Sequence, residues 1–486
     1  MNLVLHPLIE SGWLNAILPE LILSCGAMLL ILVTAFSPRA KAVLAPLTIV
    51  LLTAAAWAEK FVHGGTFFGG TYEISPITRV FDITFFLATM LAALFARDYL
   101  DREGIEGGEF YALLLWGSVG MMMMAKGLDL LVIILGLEIL SLCIFVLCGY
   151  HRRLAIANEA SLKYFLMGAF ATGFVLYGTA LFYGATQSTN ITVMARWFAS
   201  NPSTPLLTVA FVLLMSGFGF KLALAPFHPW APDVYQGAPT PVAGWLSVAP
   251  KAATLIVLVR LFNAMTPMLP HVDWMKMVAA LSILSMLLGN AVAIVQRDLK
   301  RMLAYSGIAH VGYMAIALLS VRDESVAAIA VYTIVYALMN IGAFGVISLL
   351  AKNQNDAQRL DDIAGLGFRR PFYGLALAIC MFSLAGLPAT GGFMSKFYIF
   401  KSAVDSGHTT VALIGILASI ISVYYYLRVV YYLYMKEPYG EPVETIGDVF
   451  SAGALTISMI GILLIGIYPT PLFDMAGAAA KVLLQQ

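Results

Sequence analysis

The chain has 486 residues, 60% of them hydrophobic and only 11% charged, against about 25% charged in a soluble globular protein. Its 28 Lys and Arg and 27 Asp and Glu leave a formal net charge of +1. This excludes a soluble enzyme, a secreted disulfide scaffold, a disordered chain and, for want of a basic excess, a nucleic-acid binder.

The apolar text comes in runs of about twenty residues, the length a helix needs to cross about 30 Å of hydrocarbon, not in the ten-residue alternating segments of a membrane barrel. In chain order the predicted spans are 14–36, 42–62, 77–96, 109–125, 128–149, 159–183, 206–226, 240–262, 274–295, 302–320, 326–350, 372–400, 410–435 and 450–469, fourteen in all. Acidic Glu10 and Glu20, not a basic stretch, stand at the start of the first run, which reads as a retained helix. Turn chemistry marks the breaks at Ser37-Pro38, Gly64-Gly65, Asn201-Pro202, Thr266-Pro267, Arg370-Pro371 and Glu437-Pro438. Between the fourth and fifth spans only Ala125, Lys126 and Gly127 are available. No loop is long enough for an extramembrane domain. The fold class is an all-α polytopic membrane protein.

Two spans are predicted to be broken. At the end of the seventh, Pro226, Pro229 and Pro232 fall within seven residues, which a continuous helix does not tolerate. The twelfth is too long for one straight helix and contains Gly386, Pro388, Gly391 and Gly392. Breaks five spans apart suggest two five-helix repeats, spans 4–8 and 9–13, the second inverted in the membrane because the repeat length is odd. The expected organisation is a three-helix segment over 1–108, repeats over 109–262 and 263–437, and a last helix in 438–486. The direct echo, Ser216-Gly217-Phe218-Gly219 against Ser383-Leu384-Ala385-Gly386, is weak. Fourteen Lys and Arg follow odd-numbered spans and eight follow even-numbered ones. The positive-inside bias therefore places both termini on the non-cytoplasmic side.

Six basic residues remain within spans: Lys163, Lys221, Lys251, Arg260, Lys396 and Arg428. A charge at the bilayer centre costs about 2.5–3.5 kcal/mol on insertion scales. Glu138 is the only charge in the run Leu130–Gly149 and sits near its middle. Lys251 is equally central, so it must pair, lose its proton or line a hydrated cavity. Lys221 precedes the proline break, His228 lies within it, and Lys396 follows the glycine break. Lys163 stands four residues after Glu159, a spacing that suits a surface ion pair as well as a buried role. His310 reads as a satisfied polar residue in mid-helix. Arg428, among Tyr424–Tyr426, Tyr431 and Tyr432, reads as packing or interfacial anchoring. Burial moves a carboxylate pKa up and a lysine pKa down, which brings both toward neutrality, where a proton relay works. Five such buried charges with no use would cost about 12–17 kcal/mol, which disfavours a purely structural subunit.

Cofactor chemistry finds no support in the text. Cys25, Cys143, Cys148 and Cys380 are dispersed in apolar runs without a cluster-binding spacing. No G-x-G-x-x-G and no Walker A motif is present, and His228 and His310 lack the spacing of haem ligands.

The stretch Gly217–Val242, with Lys221, Pro226, His228, Pro232 and the run Asp233-Val234-Tyr235-Gln236-Gly237-Ala238-Pro239, resembles the subunit N family of proton-pumping NADH:quinone oxidoreductase (respiratory complex I), one of its antiporter-like membrane subunits. Gly136-Leu137-Glu138, Glu159–Tyr164, Lys300–Ser306 and Gly392–Phe397 match the family's pattern in order, so the resemblance covers essentially the whole chain. It implies fourteen helices, two inverted five-helix repeats, and proton translocation through Glu138, Lys163, Lys221, His228, Lys251 and Lys396. Glu138 would pair with Lys221, with Lys163 beside them and Lys251 and Lys396 continuing a polar axis. It further implies a multi-pass subunit of a bacterial inner membrane. NADH, FMN, iron–sulfur clusters and quinone would lie on partner subunits of the membrane and peripheral arms, and none in this chain. One departure is Pro229, where the family carries Leu or Met after the His. The alternative class is a secondary cation/proton antiporter, or a subunit of one.

Overall fold

The computed structural model describes residues 12–37, 41–105, 107–201, 203–266, 274–352, 355–356, 358–437, 444–445 and 447–484. The predicted turn residues Pro38, Pro202, Pro267 and Pro438, and both chain ends, lie outside the described residues. Among the described residues, thirteen helices are long and apolar enough to cross a membrane. They match thirteen of the predicted spans, with ends that differ by a few residues.

The first six are α1 (Leu18–Phe36), α2 (Lys41–Ala58), α3 (Pro76–Glu103), α4 (Gly108–Lys126), α5 (Leu130–Cys148) and α6 (Ala155–Thr186). Helices α7 (Pro205–Leu222) and α8 (Trp230–Gly237) flank the proline break. Then come α9 (Thr240–Leu246), α10 (Ala249–Met265), α11 (Trp274–Val295) and α12 (Leu299–Ile316). Helix α13 (Asp323–Tyr336) runs through a π-helical turn, Ala337–Ile341, into α14 (Gly342–Ser348). The twelfth predicted span is two short helices, α15 (Pro371–Ala385) and α16 (Gly391–Asp405). The chain continues as α17 (Thr409–Tyr434), α18 (Val449–Ile467) and α19 (Thr470–Leu484). A two-stranded hairpin, β1 (Gly65–Phe67) and β2 (Tyr72–Ile74), pairs Gly65 with Ile74 beside the Gly64-Gly65 turn.

Both breaks end their first helix in the same way. Ala223 and Gly386 are left-handed, and Leu224 and Leu387 each donate a backbone hydrogen bond five residues back, to Gly219 and Phe382. This is the hydrogen-bond signature of a Schellman cap. It aligns Ala223 with Gly386, whereas the sequence echo aligned Gly219 with Gly386, one helical turn away. After the first break, Pro229 takes the N-cap position of α8, where a missing N–H costs nothing.

Two irregularities escaped the sequence reading. The eighth span is not continuous: it bends at Ser247–Val248, because Pro250 in the first turn of α10 bars an unbroken helix. The C-terminal tail forms α19, with Phe473, Ala476, Ala480 and Leu483 on its buried side. That three-to-four-residue spacing is a legible amphipathic signal.

The middle of the molecule is α9–α10, α12 and α13–α14, which are buried nearly all round. Helices α1, α2, α6, α11, α17 and α18 surround them and turn apolar faces outward, as at Phe170, Leu417 and Ile460. Since hydrocarbon solvates Leu as well as the core does, small and polar side chains choose the inner faces. Thr89, Ser118, Ser282, Asn290 and Asn340 are all buried. Helices α4 and α5 touch through glycine: a Cβ on Gly120 or Gly136 would lie 2.6 Å from the other's carbonyl oxygen. This contact sets the depth of Glu138, half a turn further along α5.

Candidate functional site

The first group of ionisable residues joins α5, α6 and α7. Glu138 Oε1 accepts a 2.7 Å hydrogen bond from Thr172 of α6. One turn along α5, Ser141 Oγ accepts one of 2.7 Å from Lys221 Nζ. Lys221 is buried in the last turn of α7, where the helix dipole favours a cation. Its ammonium faces the rings of Phe145, Tyr164 and Phe220 at 5.7, 5.8 and 6.0 Å. The expected direct Glu138–Lys221 ion pair is therefore not formed: Ser141, three residues from Glu138 on the same helix face, takes the ammonium instead. Glu138 itself is half-buried, on the stripe of α5 that also turns Leu131, Leu135, Leu142 and Val146 outward.

Lys163 makes no contact with this group and is part-exposed. It pairs with Glu159 at 2.7 Å, as the spacing predicted, and with Asp233 of α8 at 3.0 Å. Asp233 also takes Arg301 of α12 at 2.7 Å. His228 is in the break, half-buried, with its Nδ1 buried and without a hydrogen-bond partner. The freed backbone there is satisfied from neighbouring helices: Ala225 N donates to Ser285 Oγ at 2.9 Å, and Trp230 Nε1 to the Phe220 carbonyl at 3.0 Å.

The second group lines α12. Lys251 is buried in the first turn of α10, next to the bend, and its Nζ donates to the Gly307 carbonyl at 3.3 Å. No carboxylate among the described residues lies within ion-pair distance of it. A Cβ on Gly307 would stand 3.1 Å from Lys251 Nζ and 3.0 Å from the Tyr336 hydroxyl, so the glycine makes the room that these two polar groups share. Three residues further, His310 bonds the hydroxyls of Tyr332 and Tyr426 at 2.8 and 3.0 Å and stacks on Tyr336 at 5.1 Å. Tyr426 in turn bonds Ser306 at 2.6 Å. Another three residues along, the Tyr313 ring lies 5.3 Å from Lys396 Nζ. Lys396 donates to the Leu384 and Ala385 carbonyls at 2.9 and 3.1 Å and to Ser419 at 3.0 Å, so it caps the end of α15 at the second break.

Gly307, His310 and Tyr313 thus sit at three-residue intervals on one face of α12, spanning about 9 Å at 1.5 Å per residue. Lys251 is at one end and Lys396 at the other. His310, read from sequence as a satisfied polar residue, is satisfied by the Tyr332 and Tyr426 hydroxyls, on the stretch of α12 between the points where Lys251 and Lys396 approach it. The missed signal was its position three residues after Gly307. Between Lys221 and Lys251 the space is filled by rings: Tyr164 stacks on Trp230 at 4.5 Å, Trp230 meets Tyr235 at 6.2 Å, and Tyr235 lies 5.8 Å from Lys251 Nζ. Gly307→Val should fill the shared space and reduce proton pumping about as much as loss of Lys251 itself. Normal pumping in an assembled Gly307→Val complex would show that this space is not used.

The other in-span arginines have structural partners. Arg260 pairs with Glu73 of β2 at 2.6 Å, both buried. Arg428 donates to the Ile294 and Gln296 carbonyls at 2.6 and 2.7 Å, at the end of α11, as an anchoring role requires. Lys126 and Glu20, assigned by sequence to a loop and a helix start, are buried together with Glu59 and Asp82. Among the described residues, no group of three His, Cys, Asp or Glu is arranged to hold a metal ion.

Residues 127–422 match the family model described as NADH:quinone oxidoreductase/Mrp antiporter, transmembrane. The chain is 41% identical, over 99% of its own length and 100% of the relative's, to NADH-quinone oxidoreductase subunit N of Trichlorobacter lovleyi. It is 40% identical to NADH-quinone oxidoreductase subunit N 1 of Solibacter usitatus, over 95% and 96% of the two chains. A chain of respiratory complex I from Thermus thermophilus with bound aureothin superposes with a TM-score of 0.80 at 33% identity, covering 94% of this chain and 99% of that one. A chain of the Mrp complex from Dietzia superposes with a TM-score of 0.83 at 19% identity, covering 97% and 98%, a likeness of fold alone.

Proposed function

We infer how this chain moves protons from the premise that it belongs to the subunit N family of NADH-quinone oxidoreductase, within the wider NADH:quinone oxidoreductase/Mrp antiporter family. It is an antiporter-like, proton-translocating, multi-pass membrane subunit of a hetero-oligomeric complex. Its relatives favour this reading over a stand-alone cation/proton antiporter. The finer assignments are our own. The chain carries fourteen crossings in two inverted repeats with the limits given above, sits in a bacterial inner membrane, and holds no redox centre, so NADH, FMN, iron–sulfur clusters and quinone belong to partner subunits.

The observation that carries the mechanism is the α12 line. Lys251 and Lys396 are buried without carboxylate partners among the described residues, and Gly307, His310 and the tyrosine hydroxyls fill the interval between them. A lysine whose only acceptors are neutral gains little Coulomb energy for its charge, so it releases a proton readily when a neighbour's charge changes. His310 accepts at one ring nitrogen while it donates at the other, the property a relay needs. Changes in the charge state of Glu138 and Lys221, coupled through Ser141, start the transfer. Hydration of the aromatic interval carries it to Lys251, and His310 carries it to Lys396. Lys163 sits at the membrane face with Asp233 and Arg301, where it gates or collects protons, and His228 lines the break. The half-buried Glu138 cannot face hydrocarbon at low cost, so the outward stripe of α5 is where a neighbouring subunit packs.

Mild-detergent purification tests the assembly: flavin and iron–sulfur chains should co-purify, and recovery with antiporter chains alone would overturn the reading. Orientation has its own test. Both termini should be non-cytoplasmic, so a reporter active only in the cytoplasm should be silent when fused after Gln486, and activity there would reverse the assignment.

A further inference from the structure

We propose that the N-terminal three-helix segment and the end of α4 form a second buried site, which binds an exchangeable proton among the carboxyl groups of Glu20, Glu59 and Asp82 around Lys126. All four residues precede the region 127–422 that matches the family model, so the site is not part of the line described above. It also does not rest on the translocation reading.

Lys126, the last residue of α4, has no solvent-exposed side-chain surface. Its Nζ lies 2.8 Å from Glu20 Oε1 of α1, 2.8 Å from Glu59 Oε1 at the end of α2, and 3.0 Å from Asp82 Oδ2 of α3. The Tyr72 hydroxyl of β2 donates to Glu20 Oε1 at 2.7 Å. Among the described residues the other cation within reach is Arg79, 4.0 Å from Glu59, part-exposed and already donating to the Val62 carbonyl. One buried ammonium and one rim guanidinium therefore face three carboxyl groups. If all three were ionised, the site would carry at least one uncompensated negative charge.

A second observation points to the ligand. Asp82 is 1% exposed, and its Oδ1, like Glu20 Oε2 and Glu59 Oε2, is buried without a hydrogen-bond partner among the described residues. An ammonium has three donors, and all three face this site. Three carboxyl groups around one nitrogen are within about 5–6 Å of each other, where two like charges repel by about 3 kcal/mol even at an effective dielectric constant of 20. A bound proton corrects both faults. It removes one negative charge, and it supplies an O–H donor to an orphaned oxygen. Asp82, the deepest of the three, carries it. Exchange runs through Glu59, which stands next to exposed Lys60 and the part-exposed Arg79 at the membrane face.

Infrared spectra of the purified, resting complex at neutral pH test this without turnover, so the result is independent of pumping. The wild-type spectrum should contain a protonated-carboxyl band that disappears in Asp82→Asn and shifts in deuterated buffer. Asp82→Asn should assemble with unchanged thermal stability, because a neutral amide replaces a neutral acid. Lys126→Met should be strongly destabilised, because it leaves the remaining carboxylates unpaired. Loss of the band in Glu20→Gln or Glu59→Gln instead would support the site and move the proton to that residue. Loss of only ionised-carboxylate signal in all three variants, or an Asp82→Asn complex as unstable as Lys126→Met, would overturn the proposal.

Discussion

Lys251→Ala and Lys251→Arg should both strip the assembled complex of most of its proton pumping through this chain. A tenfold loss in rate corresponds to only about 1.4 kcal/mol, a small fraction of what a misplaced buried charge costs. Alanine removes the titrating group. Arginine keeps the charge but cannot release its proton, since its pKa exceeds about 12. The comparison is decisive because Lys251 has a neutral acceptor, the Gly307 carbonyl at 3.3 Å, and among the described residues no carboxylate whose charge it balances. If a fixed positive charge were all that α10 needed, arginine would serve. Near-normal pumping by Lys251→Arg, with loss confined to Lys251→Ala, would show that the charge matters and its titration does not. Because the guanidinium must enter space bounded by Tyr336 and the Tyr235 ring, Lys251→Met serves as the packing control. It should assemble and fail to pump.

The spans were legible because a membrane leaves few alternatives. Backbone groups in hydrocarbon must be paired within a helix, so runs of twenty apolar residues translate directly into helices. The proline and glycine clusters marked both broken helices for the same reason. Lys221 and Lys251 were equally conspicuous, as lone charges in apolar text. What was not legible is the company each charge keeps. That Ser141 and not Glu138 receives Lys221 depends on the rotation of α5 against α7, which spacing along one helix does not encode. The bend beside Lys251 was readable from Pro250 but was masked by the apolar residues around it. Lys126 was misassigned because a lysine at a helix end ordinarily snorkels to water. Here α1, α2 and α3 each bring a carboxyl group to it, and only tertiary contact reveals that. His310 was visible as a residue, but its place between two lysines required Tyr332 and Tyr426, from α13 and α17, to be brought to it.

Glu138→Gln and Lys221→Ala should each lower the number of protons pumped per electron pair while the complex still assembles. Glutamine keeps the shape of Glu138, and its side-chain oxygen can still accept the Thr172 hydrogen bond, so the packing of α5 on α6 survives and only the charge is lost. Lys221→Ala leaves a cavity among Phe145, Tyr164 and Phe220, so Lys221→Met, which fills it, is the companion variant. The arrangement adds a requirement that a direct ion pair would not. Since Ser141, and not Glu138, holds the Lys221 ammonium, Ser141→Ala should weaken pumping as well, by removing the hydroxyl that accepts the Lys221 hydrogen bond. If Glu138 and Lys221 act in one step, the double variant Glu138→Gln/Lys221→Met should pump no worse than the poorer single one, because residues that work as a unit are not additive. Additive losses would place them in separate steps. A normal proton-to-electron ratio in both single variants, in intact complex, would remove this pair from the relay and leave α12 with a different source of protons.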